Sequence, residues 1–346
     1  MGNLPAVSFV LLLTVTFQNK YFPMPLFARF CSAFFFALLM TGPVKAQQTV
    51  EKFVQQTEYL LSLPGGYNSD TSTRWPLLIF LHGSGESGDD INKVKAHGPP
   101  ELADKGKAFP FIIVSPQSDV PSGWDIEMLY RLLQNIKKQY RVNEQKIYLT
   151  GLSMGGFGTW AMAMKYPDEF AAIAPVCGGG DTTNAWKLRN MPVWCFHGAK
   201  DDVVLPVSSE NLVKATKRYS NTVRFTLYPE ANHNSWDLTY NNDSLYSWLL
   251  AQSKFRYTEI PLSSQALLKK YAGVYIGPDR DTVQIIVTAN GLTAKPGKDT
   301  VPLKAAADNL FFIQPDKSMD IRFLIKNNKA TGFIFCGDRK LEYRKL

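Results

Sequence analysis

Short runs of β-forming residues alternate with longer stretches of helical periodicity over roughly 200 residues of this chain. This alternation is typical of a largely parallel β-sheet with helices on both faces, because parallel strands need a long crossover between them. The predicted strands are Tyr59 to Leu63, Leu77 to Leu81, Phe111 to Ser115, Ile147 to Thr150, Ala172 to Val176, Val193 to Phe196 and Val223 to Tyr228. We therefore expect an α/β fold, with residues 47–256 as one domain.

The helical stretches between these strands support the same architecture. In the clearest of them, Asp125 can cap a helix whose apolar residues recur every three to four positions from Leu129 to Tyr140. Such a stripe packs one face of a helix on a sheet. The other predicted helices are Met154 to Lys165, Pro206 to Tyr219 and Asp243 to Ala251.

The N-terminal segment differs from the rest of the chain. Residues 1–46 hold no acidic residue, and their two apolar runs, Ser8 to Phe17 and Phe30 to Met40, fall short of the roughly 20 residues that span a membrane. Val44-Lys45-Ala46 after the second run is typical of a signal-peptidase site. We predict a signal peptide over residues 1–46, and hence an exported protein, periplasmic or extracellular. Translation from Met24 instead of Met1 would give a signal peptide of ordinary length.

The most specific motif is Gly151-Leu152-Ser153-Met154-Gly155-Gly156, which follows a predicted strand and precedes a predicted helix. A serine at such a turn is typical of a nucleophile elbow, which exposes the hydroxyl at the carboxyl edge of the sheet. Flanking glycines are needed because side chains there would collide with neighbouring backbone. A glycine-rich turn with an incidental serine is the alternative, and the strand and helix around it argue against that. Ser153 is the candidate nucleophile.

A serine hydroxyl needs a base that removes its proton, and the chain has only four histidines. In folds with this elbow, the residues follow the chain order serine, acid, histidine. His82, His97 and His197 all precede the expected acid, whereas His233 lies in the loop after the last predicted strand. Elimination therefore selects His233 as the base.

The acid is expected after the strand that ends at Phe196, where Asp201 and Asp202 stand side by side. We favour Asp201, because the acid in this loop typically stands three residues after the glycine, here Gly198. Asp202 is then a turn or capping residue. The acid would hold His233 in the correct tautomer and stabilise its imidazolium.

Acyl transfer also needs N–H donors for the negative charge that develops on the substrate oxygen. The residue after the nucleophile, Met154, supplies one donor, and a loop after an earlier strand supplies the other. We expect the second from Ser84, in the loop His82-Gly83-Ser84-Gly85-Glu86. We interpret His82 and Glu86 as residues that support this loop.

The segments that contain these residues resemble the α/β-hydrolase superfamily. They are Leu81 to Asp90, Gly151 to Trp160, Cys177 to Gly180, His197 to Val204 and His233 to Asp237. The resemblance covers roughly residues 55–252 and is strongest to the compact carboxylesterase and predicted-peptidase branch, which includes dienelactone-hydrolase-like and prolyl-oligopeptidase-like proteins and is related to feruloyl and acetyl-xylan esterases. It implies a serine hydrolase that works through an acyl-enzyme.

Other chemistries have little support in the sequence. No His-x-x-x-His pair or cysteine cluster occurs, and Asp89-Asp90 has no histidine at ligand spacing. The glycine run Gly178 to Gly180 lacks the lysine of a phosphate-binding loop. We predict no metal, no cofactor and no nucleic-acid partner.

The loops suggest an accessible site. Only about fifteen residues separate Val176 from Val193, where many relatives of this fold insert a helical cap. We therefore expect an open cleft without a cap domain, suited to an ester on a bulky group or a polymer such as a polysaccharide. Trp124 and Trp236 are candidate stacking surfaces for a sugar or a phenolic acyl group, and packing against the sheet edge is the alternative for both.

After Phe255 the pattern changes to closely spaced strands, with turns at Asn290-Gly291 and Asn327-Asn328. The predicted strands are Thr282 to Thr288, Leu310 to Gln314, Asp320 to Ile325, Gly332 to Cys336 and Leu341 to Arg344. For residues 260–346 we predict a small antiparallel barrel or sandwich. It resembles the lipocalin-like modules that follow the catalytic domain of some secreted serine hydrolases.

The net charge of +8 is unevenly distributed along the chain. Residues 260–346 hold 14 basic and 8 acidic residues, whereas residues 47–259 hold 21 and 22. Any anionic partner should therefore be sought at the C-terminal module and not at the active site. The sequence leaves two roles open for this module. It could stabilise the hydrolase by packing against it, or it could bind a polysaccharide or the cell envelope.

Together these features predict an exported serine hydrolase of carboxylic esters, of carbohydrate or phenolic-acid type. A serine peptidase is the main alternative, because esters and amides share the tetrahedral intermediate. A binding protein with a weak or vestigial site is a second. The sequence does not predict an integral membrane protein and leaves the oligomeric state open.

Overall fold

The computed structural model describes residues 57–261 and 264–346. The predicted signal peptide, its cleavage site after Ala46 and the alternative start at Met24 lie outside the described residues. Within the described ranges, no helix combines the length and the apolar character that crossing a membrane requires.

A seven-stranded mixed sheet forms the centre of the first part of the chain. Its strands are β1 (Tyr59–Ser62), β2 (Trp75–Leu81), β3 (Ile112–Pro116), β4 (Val142–Leu152), β5 (Ala172–Val176), β6 (Val193–Gly198) and β7 (Val223–Tyr228). They lie in the order β1-β3-β2-β4-β5-β6-β7; β1 runs antiparallel to β3, and the other neighbours are parallel. The sheet therefore has the largely parallel character that the sequence predicts.

Strand β4 begins five residues before the predicted start at Ile147. Its first half holds the exposed Glu144 and Gln145, so this part of the strand lacks an apolar pattern. Its register with β2, which includes Trp75 opposite Val142, identifies it as sheet nonetheless. Backbone pairing here outweighs the weak local strand signal.

Helices cover both faces of this sheet. They are α1 (Gly98–Asp104), α2 (Ile126–Gln139), α3 (Met154–Lys165), α4 (Val207–Lys217), α5 (Trp236–Tyr240) and α6 (Asp243–Leu250). The apolar faces of α2, α3 and α4 pack in one core cluster that includes Ile79 of β2, whereas α1, α5 and α6 pack in a second cluster that includes the next residue, Phe80. Successive side chains of a strand point to opposite faces, so β2 contributes to both cores. Asp125 caps α2 as predicted, by accepting the N–H groups of Glu127 and Met128.

The C-terminal part forms a closed antiparallel barrel of eight strands. A short helix, α7 (Gln265–Leu268), precedes β8 (Gly273–Ile276), β9 (Thr282–Thr288), β10 (Gly291–Pro296), β11 (Val301–Ala307), β12 (Leu310–Phe312), β13 (Asp320–Lys326), β14 (Lys329–Cys336) and β15 (Lys340–Lys345). The pairing of β15 with β8 closes the barrel. Because the sheet closes on itself, the C-terminal module is the barrel and not the sandwich of the two predicted alternatives. Strands β8, β10 and β11 were not predicted; β11, Val-Pro-Leu-Lys-Ala-Ala-Ala, lacks a strand signal because proline and alanine are poor strand formers.

Aromatic side chains fill the interior of the barrel. Tyr275 and Phe333 lie with ring centroids 5.0 Å apart, and Phe333 stacks on Tyr343 at 4.6 Å. Tyr271 and Phe323 belong to the same cluster. An eight-stranded barrel is just wide enough for its own side chains to fill it, and here bulky rings do so.

Candidate active site

Ser153 lies at the turn between β4 and α3, with φ 52° and ψ −116°. This positive φ is strained for a residue with a side chain and is the conformation that a nucleophile elbow requires. A Cβ atom at Gly151 would lie 2.4 Å from the carbonyl oxygen of Gly155, and one at Gly155 would lie 2.0 Å from that of Leu81. The glycines around Ser153 are therefore required by the close approach of neighbouring backbone, for the reason that the sequence suggested.

The structure brings the three candidate side chains of the hydrolytic site into one hydrogen-bonded chain. His233 Nε2 lies 3.0 Å from Ser153 Oγ, and His233 Nδ1 lies 2.8 Å from Asp201 Oδ2. Ser153 follows β4, Asp201 follows β6 and His233 follows β7, so all three stand at the carboxyl edge of the sheet. With its Nδ1 hydrogen donated to the carboxylate, His233 presents Nε2 as an acceptor for the hydroxyl proton.

Burial and hydrogen bonds separate the two neighbouring aspartates. The side chain of Asp201 is fully buried, and its Oδ1 accepts the N–H groups of Val203 at 3.0 Å and Val204 at 2.9 Å. These bonds leave Oδ2 directed at His233. Asp202 is exposed to solvent. The geometry thus places Asp201, and not Asp202, next to the candidate base.

His197 is a neighbour of Asp201 that the sequence analysis did not single out. It is fully buried at the end of β6, and its Nε2 lies 3.1 Å from Asp201 Oδ2 and 2.8 Å from the carbonyl oxygen of Val204. Its Nδ1 lies 2.7 Å from Ser209 Oγ. Because both neighbours of Nε2 are acceptors, Nε2 carries a hydrogen and donates it to them. The chain-order argument set His197 aside as a base and gave no reason to see it as support for the acid.

We expect His197→Gln to lower kcat about tenfold, the rate equivalent of ~1.4 kcal/mol, with KM nearly unchanged. The reason is that the carboxylate of Asp201 loses a donor that holds Oδ2 in place, while no predicted substrate contact changes. Steady-state kinetics together with a pH profile of kcat/KM would measure this. A variant with wild-type kcat and the wild-type pH profile would show that His197 does not position Asp201.

The two predicted oxyanion donors both begin helical turns. Met154 is the first residue of α3, and Ser84 is the first residue of a short 3₁₀ turn, Ser84–Glu86, that follows β2. The N–H of a first helical residue has no acceptor within its own helix, so both groups are free to face a ligand. The two residues line the same cavity.

The loop that carries Ser84 is supported as the sequence analysis expected. His82 Nε2 accepts the N–H of Ser118 at 3.0 Å, so its Nδ1 carries the hydrogen that is donated to the carbonyl oxygen of Gly83. Burial lowers the pKa of His82, which favours the neutral ring that this arrangement needs. Glu86 accepts the N–H of Gly83 at 2.9 Å. Both side chains therefore hold the loop and do not point to a second base.

An open cavity of about 470 Å³ adjoins the two predicted oxyanion donors. Its wall includes Trp124, Ile126 and Phe157, the last of which is 40% exposed. Trp124 packs on the ring of His82 with centroids 4.7 Å apart, and a Cβ atom at Gly158 would lie 2.8 Å from the indole. The cavity is thus mostly apolar, with an indole as part of its wall.

Trp236 stands elsewhere, against the candidate base. The centroid of its ring lies 5.2 Å from that of His233, in an edge-to-face contact, and 5.4 Å from that of His97. Trp236 is absent from the lining of the cavity.

Residues 177–192, all of which are described, form loops and one 3₁₀ turn, Thr182–Leu188. This stretch therefore contains no α-helical cap, and the site is open.

Among the described residues, one group of side chains could hold a metal ion: Cys177, Asp201 and His233, whose ligand atoms lie within 4.8 Å of one another. The sequence search missed it because these residues are far apart in the chain. Burial raises the pKa of the Cys177 thiol to about 12, so the thiol is protonated at neutral pH. A metal would also have to displace the bond between His233 and Asp201, so the group fits proton transfer better than metal binding.

Comparison with known protein families supports the same conclusion about the fold. The model of the dienelactone hydrolase family matches residues 125–242, a range that includes Ser153, Asp201 and His233. Residues 125–242, about a third of the chain, are thus similar to the dienelactone hydrolase family. The resemblance to the carboxylesterase branch of the α/β-hydrolases is thereby confirmed, as is the fold class, an α/β-hydrolase sheet followed by an antiparallel barrel.

Curated proteins similar to this hydrolase domain are esterases and depolymerases. A bifunctional acetylxylan esterase/xylanase from Neocallimastix patriciarum is 27% identical over 188 residues, which are 52% of this chain and 27% of that protein. A poly(3-hydroxyalkanoate) depolymerase from Paucimonas lemoignei is 30% identical over 30% of this chain and 28% of its own length. A probable feruloyl esterase from Aspergillus terreus is 27% identical over 35% of this chain and 46% of its own length. The chain thus spans about a quarter to a half of these relatives.

A solved structure described as a thermostable esterase is also similar. It is 31% identical, with a TM-score of 0.49, and the match covers 56% of this chain and 59% of that one.

Proposed function

We propose that this protein is an exported serine carboxylesterase that cleaves esters of carbohydrate or phenolic-acid type. The observation that carries the proposal is the chain of hydrogen bonds from Ser153 through His233 to the buried Asp201, with 3.0 Å and 2.8 Å between the paired atoms. This arrangement is that of a nucleophile, a general base and an orienting acid. A cavity whose lining includes the two proposed oxyanion donors, Ser84 and Met154, lies next to the elbow.

The proposed reaction begins when Ser153 Oγ attacks the ester carbonyl carbon while His233 Nε2 takes the hydroxyl proton. The negative charge that forms on the carbonyl oxygen is stabilised by the N–H groups of Ser84 and Met154. Collapse of this intermediate breaks the bond to the alcohol, which leaves with the proton from His233. Water, activated by His233, then attacks the acyl-enzyme in the same way and releases the acid.

The cavity wall supports a substrate with a flat or apolar acyl group. Trp124 and Phe157 offer aromatic surface beside the oxyanion donors, and the open rim leaves room for a bulky alcohol. Two relatives of this chain are named as a bifunctional acetylxylan esterase/xylanase and a probable feruloyl esterase. We propose Trp124 as a substrate-binding residue. We also propose Trp236, which contacts His233, as a substrate-binding residue, with a smaller contribution than Trp124.

Export and the division of the chain belong to the same proposal. Residues 1–46 would be the signal peptide, 47–256 the hydrolase domain and 260–346 the β module. A relative described as a secreted protein, 24% identical over 52% of this chain, is compatible with export. N-terminal sequencing of the protein recovered from the medium or periplasm should show Gln47 as the first residue, and a mature protein that still begins at Met1 or Met24 would contradict cleavage after Ala46.

A substrate panel tests the reaction class. We expect turnover of p-nitrophenyl, acetyl and feruloyl esters and little or no cleavage of chromogenic peptides, because the cavity wall beside the proposed oxyanion donors is mostly apolar. Labelling by a fluorophosphonate would report an activated serine independently of the substrate. Peptide cleavage without ester turnover would overturn the esterase proposal in favour of a peptidase, and absence of labelling would favour a binding protein.

A further inference from the structure

A second cleft lies where the barrel meets the hydrolase sheet. It encloses about 380 Å³, a volume within the ordinary range of ligand sites. The hydrolase side of the wall includes Tyr130, Tyr166 and Lys187, and the barrel side includes Lys317 and Asp338. We call this space the barrel cleft.

Buried polar contacts hold the two walls of the barrel cleft in place. Arg189 forms an ion pair with Asp320 of β13 at 2.7 Å, with side chains 9% and 4% exposed, and its guanidinium also donates to the carbonyl oxygen of Ser318. Tyr257 donates its hydroxyl to the same carboxylate at 2.6 Å. A further bond at 2.9 Å runs from the N–H of Ser318 to Asp168. A charge network of this kind is costly to break once buried, so the cleft is a preformed feature and not a loose contact.

The lining of the barrel cleft offers aromatic rings and charged groups of both signs to a ligand; the charged residues are Lys165, Lys187, Lys317, Asp168, Glu169 and Asp338. Tyr130 and Tyr166 stack with centroids 4.0 Å apart and interplanar angle 10°, which forms a rigid aromatic wall. Lys187 and Lys317 have no salt bridge among the described residues, whereas Lys165, at the same cleft, is paired with Glu127. The barrel that supplies half of the wall carries the excess of basic residues. Of the acids, Glu169 is paired with Lys137, and Asp168 accepts the N–H of Ser318. Aromatic rings beside ammonium groups that lack a salt bridge suit a ligand that combines apolar C–H faces with a negative charge.

The barrel cleft is well separated from Ser153. Asp168 precedes β5 and Lys187 precedes β6, so both lie toward the amino edge of the parallel strands, whereas Ser153, Asp201 and His233 stand at the carboxyl edge. The five-residue β5 alone spans roughly 16 Å between these edges. A ligand in the cleft is therefore not the acyl group under attack. A long polymer bound there would instead keep the enzyme close to its surface and raise the local concentration of ester groups.

We propose that the barrel cleft binds an acidic oligosaccharide segment, with the sugar rings against Tyr130 and Tyr166 and the carboxylate at Lys187 and Lys317. The filled interior of the barrel supports this location, because the aromatic side chains inside leave the outer surface as the place for a ligand. The proposal is independent of the esterase reaction, since it concerns binding at the opposite edge of the sheet.

Calorimetric titration of the full-length Ser153→Ala protein tests this binding without hydrolysis. The ligands are a xylotriose that carries one 4-O-methylglucuronic acid and neutral xylotetraose, which differ mainly in charge. We expect the acidic ligand to bind at least tenfold more tightly, and we expect this difference to shrink in 0.5 M NaCl, because salt screens exposed charges. Equal affinities for the two ligands, or no binding of either, would overturn the proposal.

Matched pairs of lysines provide the control. The double substitution Lys187→Gln and Lys317→Gln in the Ser153→Ala background should weaken binding of the acidic ligand at least tenfold. Lys326→Gln with Lys329→Gln removes the same charge from exposed positions that flank the β13–β14 turn, at the other end of the barrel, and should leave the affinity unchanged. Equal losses in both double variants would show a nonspecific charge effect and would overturn the site. Thermal melting of each variant checks that it folds. If the Lys187→Gln and Lys317→Gln double variant does not fold, the single substitution Lys317→Gln, which lies on an exposed loop, is used in its place.

Discussion

Replacing Ser153 by alanine is expected to lower kcat for ester hydrolysis on the order of 10⁶-fold, because it removes the hydroxyl that lies 3.0 Å from His233 Nε2. The fold should survive, since alanine also has a Cβ atom and adds no strain to the one that serine already bears at φ 52°. The measurement is steady-state turnover of p-nitrophenyl acetate, combined with labelling by a fluorophosphonate.

Ser244→Ala is the matched control for this experiment. Ser244 is exposed on α6, away from the candidate site, and it should keep wild-type turnover and labelling. If the Ser153→Ala protein hydrolysed esters or accepted the label as well as the wild type, another residue would be the nucleophile.

Asp201→Asn should lower kcat about 10⁴-fold while the protein stays folded. The amide can still accept the N–H groups of Val203 and Val204 through its oxygen. Its NH₂ group then faces His233 and donates to Nδ1, which places the ring hydrogen on Nε2. In that tautomer His233 cannot accept the proton of Ser153, so attack on the ester fails.

Asp202→Asn is the comparison that the chain itself offers, one residue away and with the same change of charge. Because Asp202 is exposed and does not contact His233, we expect turnover within a few fold of the wild type. Both variants should be compared by kcat/KM as a function of pH and by thermal melting. A large loss in Asp202→Asn with normal turnover in Asp201→Asn would reverse the assignment of the acid.

The location of the barrel cleft bears on the two roles that the sequence left open for the C-terminal module, packing and binding. Packing against the hydrolase is visible in the buried pair of Arg189 and Asp320. Binding of a polymer would use the surface that this packing creates, since Lys187 comes from the hydrolase and Lys317 from the barrel. If the titrations support the proposal, the two roles are aspects of one interface.

Local patterns in the sequence were sufficient for much of the candidate site. The elbow around Ser153 needs glycines within a few residues of it, and this requirement is written in adjacent positions. The choice of His233 needed only the chain order and the small number of histidines. Strands β2, β3, β5 and β6 were also predictable, because they are largely buried on both faces and appear as apolar runs.

Only the tertiary structure could separate residues whose local sequence is equivalent. Asp201 and Asp202 differ by burial and by the direction of one carboxylate, and His197 supports Asp201 through a contact across the turn after β6. Trp124 and Trp236 both looked like stacking surfaces, yet one lines the cavity and the other packs on His233. The closure of the barrel and the cleft beside it depend on pairs such as Arg189 and Asp320, which are 131 residues apart. Sequence therefore determined which chemical groups are available and at which edge of the sheet they stand, whereas side-chain direction, burial and long-range contact, which arise only on folding, decided which of them meet.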